Sequence, residues 1–220
     1  MLPAVAMLSV PGRLAETVAL GAEFDAAGFP GLYLPSAGDP VSLCLSLAHA
    51  PRVALAALGP KMVDLALTRA NGLIQANAAR SRLPELMAEL RDRDRPPGFE
   101  VADMIPTVVG ADITAARERC RDILLPYLAR AGYVAYWRAA GYTEEMDRAD
   151  AARRDGDNAS VRAAMTDRWI DDVCLCGPAS RIREGLAAWF ETGIDLPILV
   201  PSSLDGGHRT ALRQLLGIFG

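Results

Sequence analysis

The stretch "ALAALGPKMVDLALTRANGLIQAN", Ala54–Asn77, reads as strand, turn, helix, turn, strand. A short apolar run ends at Gly59-Pro60-Lys61. Helical spacing follows to Arg69, with Met62, Leu65 and Ala66 placed inward, and Asn71-Gly72 opens a second apolar run. Links this short between strand, helix and strand make the strands parallel neighbours, which is the α/β class. The first turn is bare of side-chain chemistry. Gly59 lets another group come close, Pro60 suits the first helical position, and the N–H groups of Lys61 and Met62 are predicted to point outward with the helix dipole behind them. A terminus of that kind binds phosphate readily. The plain alternative is an ordinary strand-to-helix turn that binds nothing.

The flanks repeat the pattern. Upstream, Ala4–Val10 reads as a strand closed by Pro11-Gly12, Arg13–Ala27 as a helix stopped by Gly28, and Gly31–Ser36 as a second buried strand. Asp39 and Pro40 then open another helix. Downstream, "SRLPELMAELRDR" is a helix and Phe99–Val109 the longest strand-like segment. From Asp112 the period turns helical, with Cys120, Ile123, Leu124, Tyr127 and Leu128 on one stripe and a kink expected at Pro126. This helical excursion is expected over about 112–168, inserted before the last strand. "DDVCLCG" reads as a short strand or turn, "SRIREGLAAWFETG" as a helix, Leu196–Pro201 as the closing strand, and the tail from Asp205 as a last helix. No linker or repeat divides residues 1–220, so one domain is expected.

Bulk properties exclude several classes. The 220 residues are 51% hydrophobic and 23% charged, ordinary for a globular chain that needs no staples to fold. A net charge of −4 with no basic stripe argues against nucleic acid as a partner. No apolar run reaches membrane-spanning length, and the opening residues lack a signal peptide's basic region, so a cytoplasmic protein is expected. Four cysteines and two histidines are too few, at the wrong spacing, for a metal site, and the cysteines read as small core residues.

In parallel α/β folds the ligand face lies at the C-terminal ends of the strands. The segments there are Pro35-Ser36, Leu58 to Lys61, Ala76-Asn77, Thr107 and Pro201-Ser202, and they are poor in acids, bases and nucleophiles. No nucleophilic triad, Walker loop or G-x-G-x-x-G is present, so an enzyme built here would take its reactivity from a cofactor. Asn77 shares a face with Gln75 and can donate to a phosphate or ring carbonyl, or cap its loop. Asp103 and Glu100, in an otherwise apolar strand, read as internal ion-pair partners for arginine. His49 and His208 fall at a helix end and in the tail, poor places for a general base. Trp137, Trp169 and Trp189 read as packing residues.

These motifs resemble a known family. "FDAAGFPGLYLP" (24–35) is similar to the "A-E-x-x-G-F-D-x-x-W-x-P" segment of luciferase-like monooxygenases, and "VALAALGPKMVDLALTRANGLIQAN" (53–77) to their "P-V-Y-I-A-A-L-G-P-K-M…A-D-G-V-I-L-N". "FEVADMIPTVVGADITAAR" (99–117) and "WIDDVCLCGPASRIREGLAAWFETGIDLPILVP" (169–201) resemble the family's later strands and excursion in the same order. The resemblance is closest to the actinobacterial branch of F420-dependent oxidoreductases. It implies a TIM barrel binding coenzyme F420, or alternatively FMN, across its C-terminal mouth, for hydride transfer with a small organic substrate.

By position, the resemblance gives Leu58, Gly59, Pro60 and Lys61 the phosphate and Ala76 with Asn77 the neighbouring wall. It sets Ser36 near the ring, with Ala37 where relatives often carry His. Relatives also hold a third and a fourth strand between the second helix and the "A-A-L-G-P" strand, whereas "SLAHAPRVALAAL" runs straight across. The expectation is therefore an incomplete barrel with about two βα units missing near residues 48–53. The alternative function is a truncated, non-catalytic relic that holds flavin or forms a homodimer.

Overall fold

The computed structural model of the chain describes residues 2–6, 23–24, 26–30, 32–33, 54–93 and 95–220. Its strands are β1 (Ala4–Ala6), β2 (Leu32–Tyr33), β3 (Ala54–Ala56), β4 (Gly72–Ala76), β5 (Glu100–Val109), β6 (Leu175–Gly177) and β7 (Leu196–Ser203). They form one sheet in the order β2-β1-β7-β5-β4-β3, and every pairing is parallel. β5 is the spine. Its first half pairs with β4, from Gly72 opposite Glu100 to Ala76 opposite Met104. Eight of its residues pair with β7 on the other side, and beyond the end of β4 its last three take β6. Gly72 is required by this register, since a Cβ there would lie 2.5 Å from the Glu100 carbonyl oxygen.

The path is that of a parallel barrel opened at one place. β2 and β3 stand at its two ends, and only the 20 residues 34–53 separate them in sequence. A βαβ unit takes about 30 residues, so two further βα units cannot be held there. The barrel is incomplete, as the sequence predicts. The stretch expected to carry the deletion lies outside the described residues, as do Ser36, Ala37, Asp39, Pro40, Cys44 and His49.

Helices cover one face of the sheet. After β3 comes α1 (Pro60–Arg69), after β4 comes α2 (Leu83–Asp92), and after β6 and β7 come α8 (Ala179–Glu191) and α9 (His208–Phe219). Between β5 and β6 run α3 (Ile113–Leu124), α4 (Ala131–Ala139), α5 (Thr143–Arg154), α6 (Asn158–Ala164) and α7 (Asp167–Val173). The main core joins the helix-side strand residues Leu73, Val101, Ile105 and Leu199 to Val63, Met87, Leu90, Trp189 and Leu215 from the helices. Alternate strand residues, pointing the other way, make a smaller cluster inside the barrel: Ala4, Ala102, Leu196 and Ile198, with Ile74, Met104 and Val200 only partly covered. Ala54 and Ala56, on the inner side of β3, are exposed. At its β3 end the inner face is made of small, exposed side chains, and elsewhere larger apolar ones line it.

The excursion has its own core of Cys120, Leu124, Trp137, Met146, Trp169 and Ile170. It is tied to the barrel through buried Asp172, whose carboxylate accepts from Ser81 N (3.0 Å), Ser81 Oγ (2.6 Å) and Tyr142 Oη (2.7 Å). The chain after Leu124 tightens into a 3₁₀ turn, Leu125–Ala129, at the kink predicted for Pro126. Helix also runs further than the sequence suggests. Thr166 caps α7, accepting from Trp169 N (3.3 Å), so Asp171–Val173 of the "DDVCLCG" segment are helical and the strand starts at Leu175.

The structure corrects two other readings. Met62 and Leu65 are 41% and 44% exposed, not inward, and the buried stripe of α1 is Val63 and Ala66. Among the described residues, this helix follows an end strand of the sheet. The second concerns Asp103, which is fully buried with no arginine partner: Trp189 Nε1 donates to Oδ2 (3.1 Å) and Ala78 N to Oδ1 (3.3 Å). The three tryptophans are core residues, each at most 1% exposed.

Candidate functional site

The chain's bare turn and the wall beside it stand at the C-terminal ends of adjacent parallel strands, β3 and β4. Local hydrogen bonding fixes the turn. Ala57 N donates to the Ile74 carbonyl (3.0 Å), and Gln75 Nε2 donates to the Ala57 carbonyl (2.8 Å). Gly59 is the N-cap of α1 in extended geometry, φ −102° and ψ 160°, with Pro60 as the first helical residue. No side chain caps the helix and its first turn holds no acid, so the positive end of the dipole is uncompensated. Gly59, Pro60 and Lys61 are exposed.

The cradle is narrower than predicted. The Gly59 carbonyl accepts from both Met62 N (3.0 Å) and Val63 N (3.1 Å), so Met62 is not available. Pro60 has no N–H, which leaves that of Lys61. The extended φ of Gly59 suits any residue, and a Cβ added there meets nothing within 4 Å. Backbone strain therefore gives no reason for glycine at this position, and the space beside it is open.

Asn77 closes β4 with φ 56°, a left-handed conformation that asparagine tolerates better than most residues. The turn behind it is pinned by four bonds. Asn77 N donates to the Met104 carbonyl (3.0 Å), Trp137 Nε1 to the Asn77 carbonyl (3.1 Å), Ala78 N to Asp103 (3.3 Å), and Ala79 N to Tyr136 Oη (3.2 Å). Asn77 is 5% exposed, yet its Nδ2 has no partner. A buried donor left over costs about 1–3 kcal/mol. Ala76 is half-buried on the inner face, beside the small-residue floor. Ser36 lies outside the described residues.

Two residues at the same rim escape sequence reading. His208 opens α9 directly after β7, its Nδ1 3.4 Å from the Pro201 carbonyl. Burial pulls its pKa below the ordinary 6.5, against a smaller opposing effect of that carbonyl, so the ring is neutral at pH 7. The signal was Gly206-Gly207 between a strand end and a helix, which makes the segment a strand-to-helix loop of the rim. Arg119, from α3, donates through Nε to Ser202 Oγ (3.0 Å) at the end of β7, and nothing in its own sequence marks it.

These residues fit an anionic cofactor tail and a planar ring: an uncompensated helix terminus, an orphaned buried donor, open volume at Gly59 and a small-residue floor. Among the described residues there is no group of three or more His, Cys, Asp or Glu that could hold a metal, and no helix long and apolar enough to cross a membrane.

No curated protein sequence matches the chain. Among solved structures its fold is similar to the coenzyme F420-dependent tetrahydromethanopterin reductase from Methanopyrus kandleri, at 15% identity and a TM-score of 0.58, over 75% of this chain and 48% of that one. Weaker likenesses are to an F420-dependent secondary alcohol dehydrogenase in complex with an F420-acetone adduct (20% identity, 76% and 46% covered, TM-score 0.47) and to the EDTA monooxygenase from Chelativorans sp. BNC1 (14%, 77% and 44%, 0.44). The chain thus spans about half the length of each. The profile of luciferase-like monooxygenases matches residues 23–196, most of the sequence, and the chain belongs to that family.

Proposed function

We propose that the chain is an oxidoreductase that uses coenzyme F420, or alternatively reduced FMN, to transfer hydride to or from a small organic substrate in the cytoplasm. The observation that carries this reading is the uncapped, acid-free, exposed start of α1 at the mouth of a parallel barrel. The bound cofactor would supply the hydride chemistry, in keeping with strand ends poor in acids, bases and nucleophiles. The chain's own residues bind and orient. The Lys61 N–H and the α1 dipole hold the anionic tail, the open side of Gly59 admits it, and Asn77 Nδ2 donates to the tail or to a ring carbonyl. Ala54, Ala56 and Ala76 give a floor flat enough for a ring, and the family resemblance alone sets Ser36 near that ring. His208, at the rim after β7, is a group able to take or give a proton.

A second reading has an observation of its own. Exposed Ala54, Ala56, Met62 and Leu65 mark the side where the barrel is incomplete, and a relic that binds flavin without turnover, or pairs as a homodimer over that side, accounts for them. Titrating the purified protein with F420 and with FMN, followed by absorbance and fluorescence, separates these. Binding with hydride exchange supports the oxidoreductase, and binding without it selects the relic. Binding of neither overturns the oxidoreductase and the flavin-holding relic alike, and a monomer in solution overturns the homodimer.

A further inference from the structure

β3 leaves its ladder on a side chain. Its register with β4 ends at Ala56 opposite Ile74. Ala57 still donates its N–H to the Ile74 carbonyl at 3.0 Å, but its own carbonyl is met by Gln75 Nε2 at 2.8 Å rather than by a backbone N–H of β4. Only Leu58 then separates this anchor from the Gly59-Pro60-Lys61 turn. Gln75 is 1% exposed, and its Oε1, sealed from solvent, has no partner. Exchanging the two amide atoms would set oxygen against oxygen, so the orphan is the acceptor. A buried acceptor left over lowers stability. Packing alone calls for an apolar side chain at this position, such as Leu73 supplies two residues earlier on the same face. What the amide adds is its hold on Ala57.

We infer that Gln75 is a positioning residue for the turn: through the Ala57 carbonyl it sets the direction in which the chain leaves β3 and the Lys61 N–H is presented. The inference rests on reading the start of α1 as the seat of an anionic cofactor tail. Gln75 itself touches no ligand. Removing its amide exchanges one buried orphan, Oε1, for another, the carbonyl of buried Ala57, so folding stability changes little while the turn loses its anchor. A ligand that needs the anchored turn then binds more weakly, in proportion to the time the turn spends out of place: anchored geometry held about a fifth of the time raises Kd about fivefold.

Titration of the full chain with F420 and with FMN, alongside amide hydrogen exchange and urea unfolding, tests it. Gln75→Met keeps the unbranched shape and removes both amide atoms. The expected result is a urea midpoint close to the parent's, an Ala57 amide that exchanges at least tenfold faster before any cofactor is added, and affinity at least fivefold weaker. Gln75→Leu should repeat this with a branched side chain. Ile182→Val, a buried change in α8, is the control: it should lower the midpoint and leave affinity within twofold. Full affinity in either Gln75 variant, an Ala57 amide as protected as the parent's, or an equal loss of affinity in Ile182→Val overturns the proposal. Unfolding of both Gln75 variants overturns it too, since Gln75 would then be a folding residue. A parent that binds neither cofactor overturns the cofactor reading first, and this role with it.

Discussion

Asp103 is fully buried beneath the Asn77–Ala79 turn and lacks a cationic partner, so its charge should set a pH dependence of stability. Burial is the dominant influence and pushes its pKa from the ordinary 3.8 up to about 7, against the opposing hydrogen bonds from Trp189 and Ala78. Between those two values the folded chain holds a proton here that the unfolded chain has released. Raising the pH through that window therefore favours unfolding. The contribution is fully present below pH 3.8 and gone above about 7. Each pH unit across that window removes about 1.4 kcal/mol, so the loss reaches at most about 4 kcal/mol. Other carboxylates titrate over the lower part of the window, so the comparison is with Asp103→Asn. The amide keeps one acceptor and turns an NH₂ towards Trp189 or Ala78, which costs about 1–3 kcal/mol. Urea unfolding at pH 4.5, 6, 7 and 8 should show the variant less stable in acid, with the gap closing or reversing by pH 8. A gap that stays constant across the series rules out a buried, protonated Asp103.

Three other substitutions probe separate links. Gly59→Val puts a branched side chain into open space at an extended φ, so its melting temperature should fall by no more than about 4 °C, the cost of exchanging an N-cap glycine, while affinity for F420 or FMN falls at least tenfold. Gly72→Ala sets a Cβ 2.5 Å from the Glu100 carbonyl oxygen and must spread β4 from β5. It should cost about 1–3 kcal/mol in urea unfolding. Asp172→Ala leaves Ser81 and Tyr142 without their acceptor and loosens the excursion. A loss of about 3 kcal/mol is expected, with amide exchange rising first in the Arg80–Arg82 turn.

Much of this was written in local patterns. The alternation of Leu73 and Gln75 against Ile74 and Ala76, and Gly59-Pro60 after a strand, gave the βαβ core and the site's first turn. What eluded the sequence depended on neighbours distant along the chain. Met62 and Leu65 carry helical spacing, but the face of α1 turned to the sheet holds Val63 and Ala66 instead. Asp103 looked like half of an ion pair because a lone acid among apolar residues usually is. Its actual partner, Trp189, is 86 residues away. His208 lay in an apparent tail until β7 took its place beside β1 and β5, which made the following loop part of the rim. The α7 helix depended on the Thr166 cap, a signal present in the sequence but masked by the two aspartates and the apolar run that follow.

If the first amide of α1 grips an anionic cofactor tail, its own resonance reports the grip. In ¹⁵N–¹H correlation spectra of the labelled protein, titration with F420 or FMN should shift the Lys61 amide downfield in step with binding, with Asn77 Nδ2 moving alongside. Saturable binding of either cofactor that leaves the Lys61 amide in place, or no binding of either, contradicts a phosphate cradle at Gly59-Pro60-Lys61.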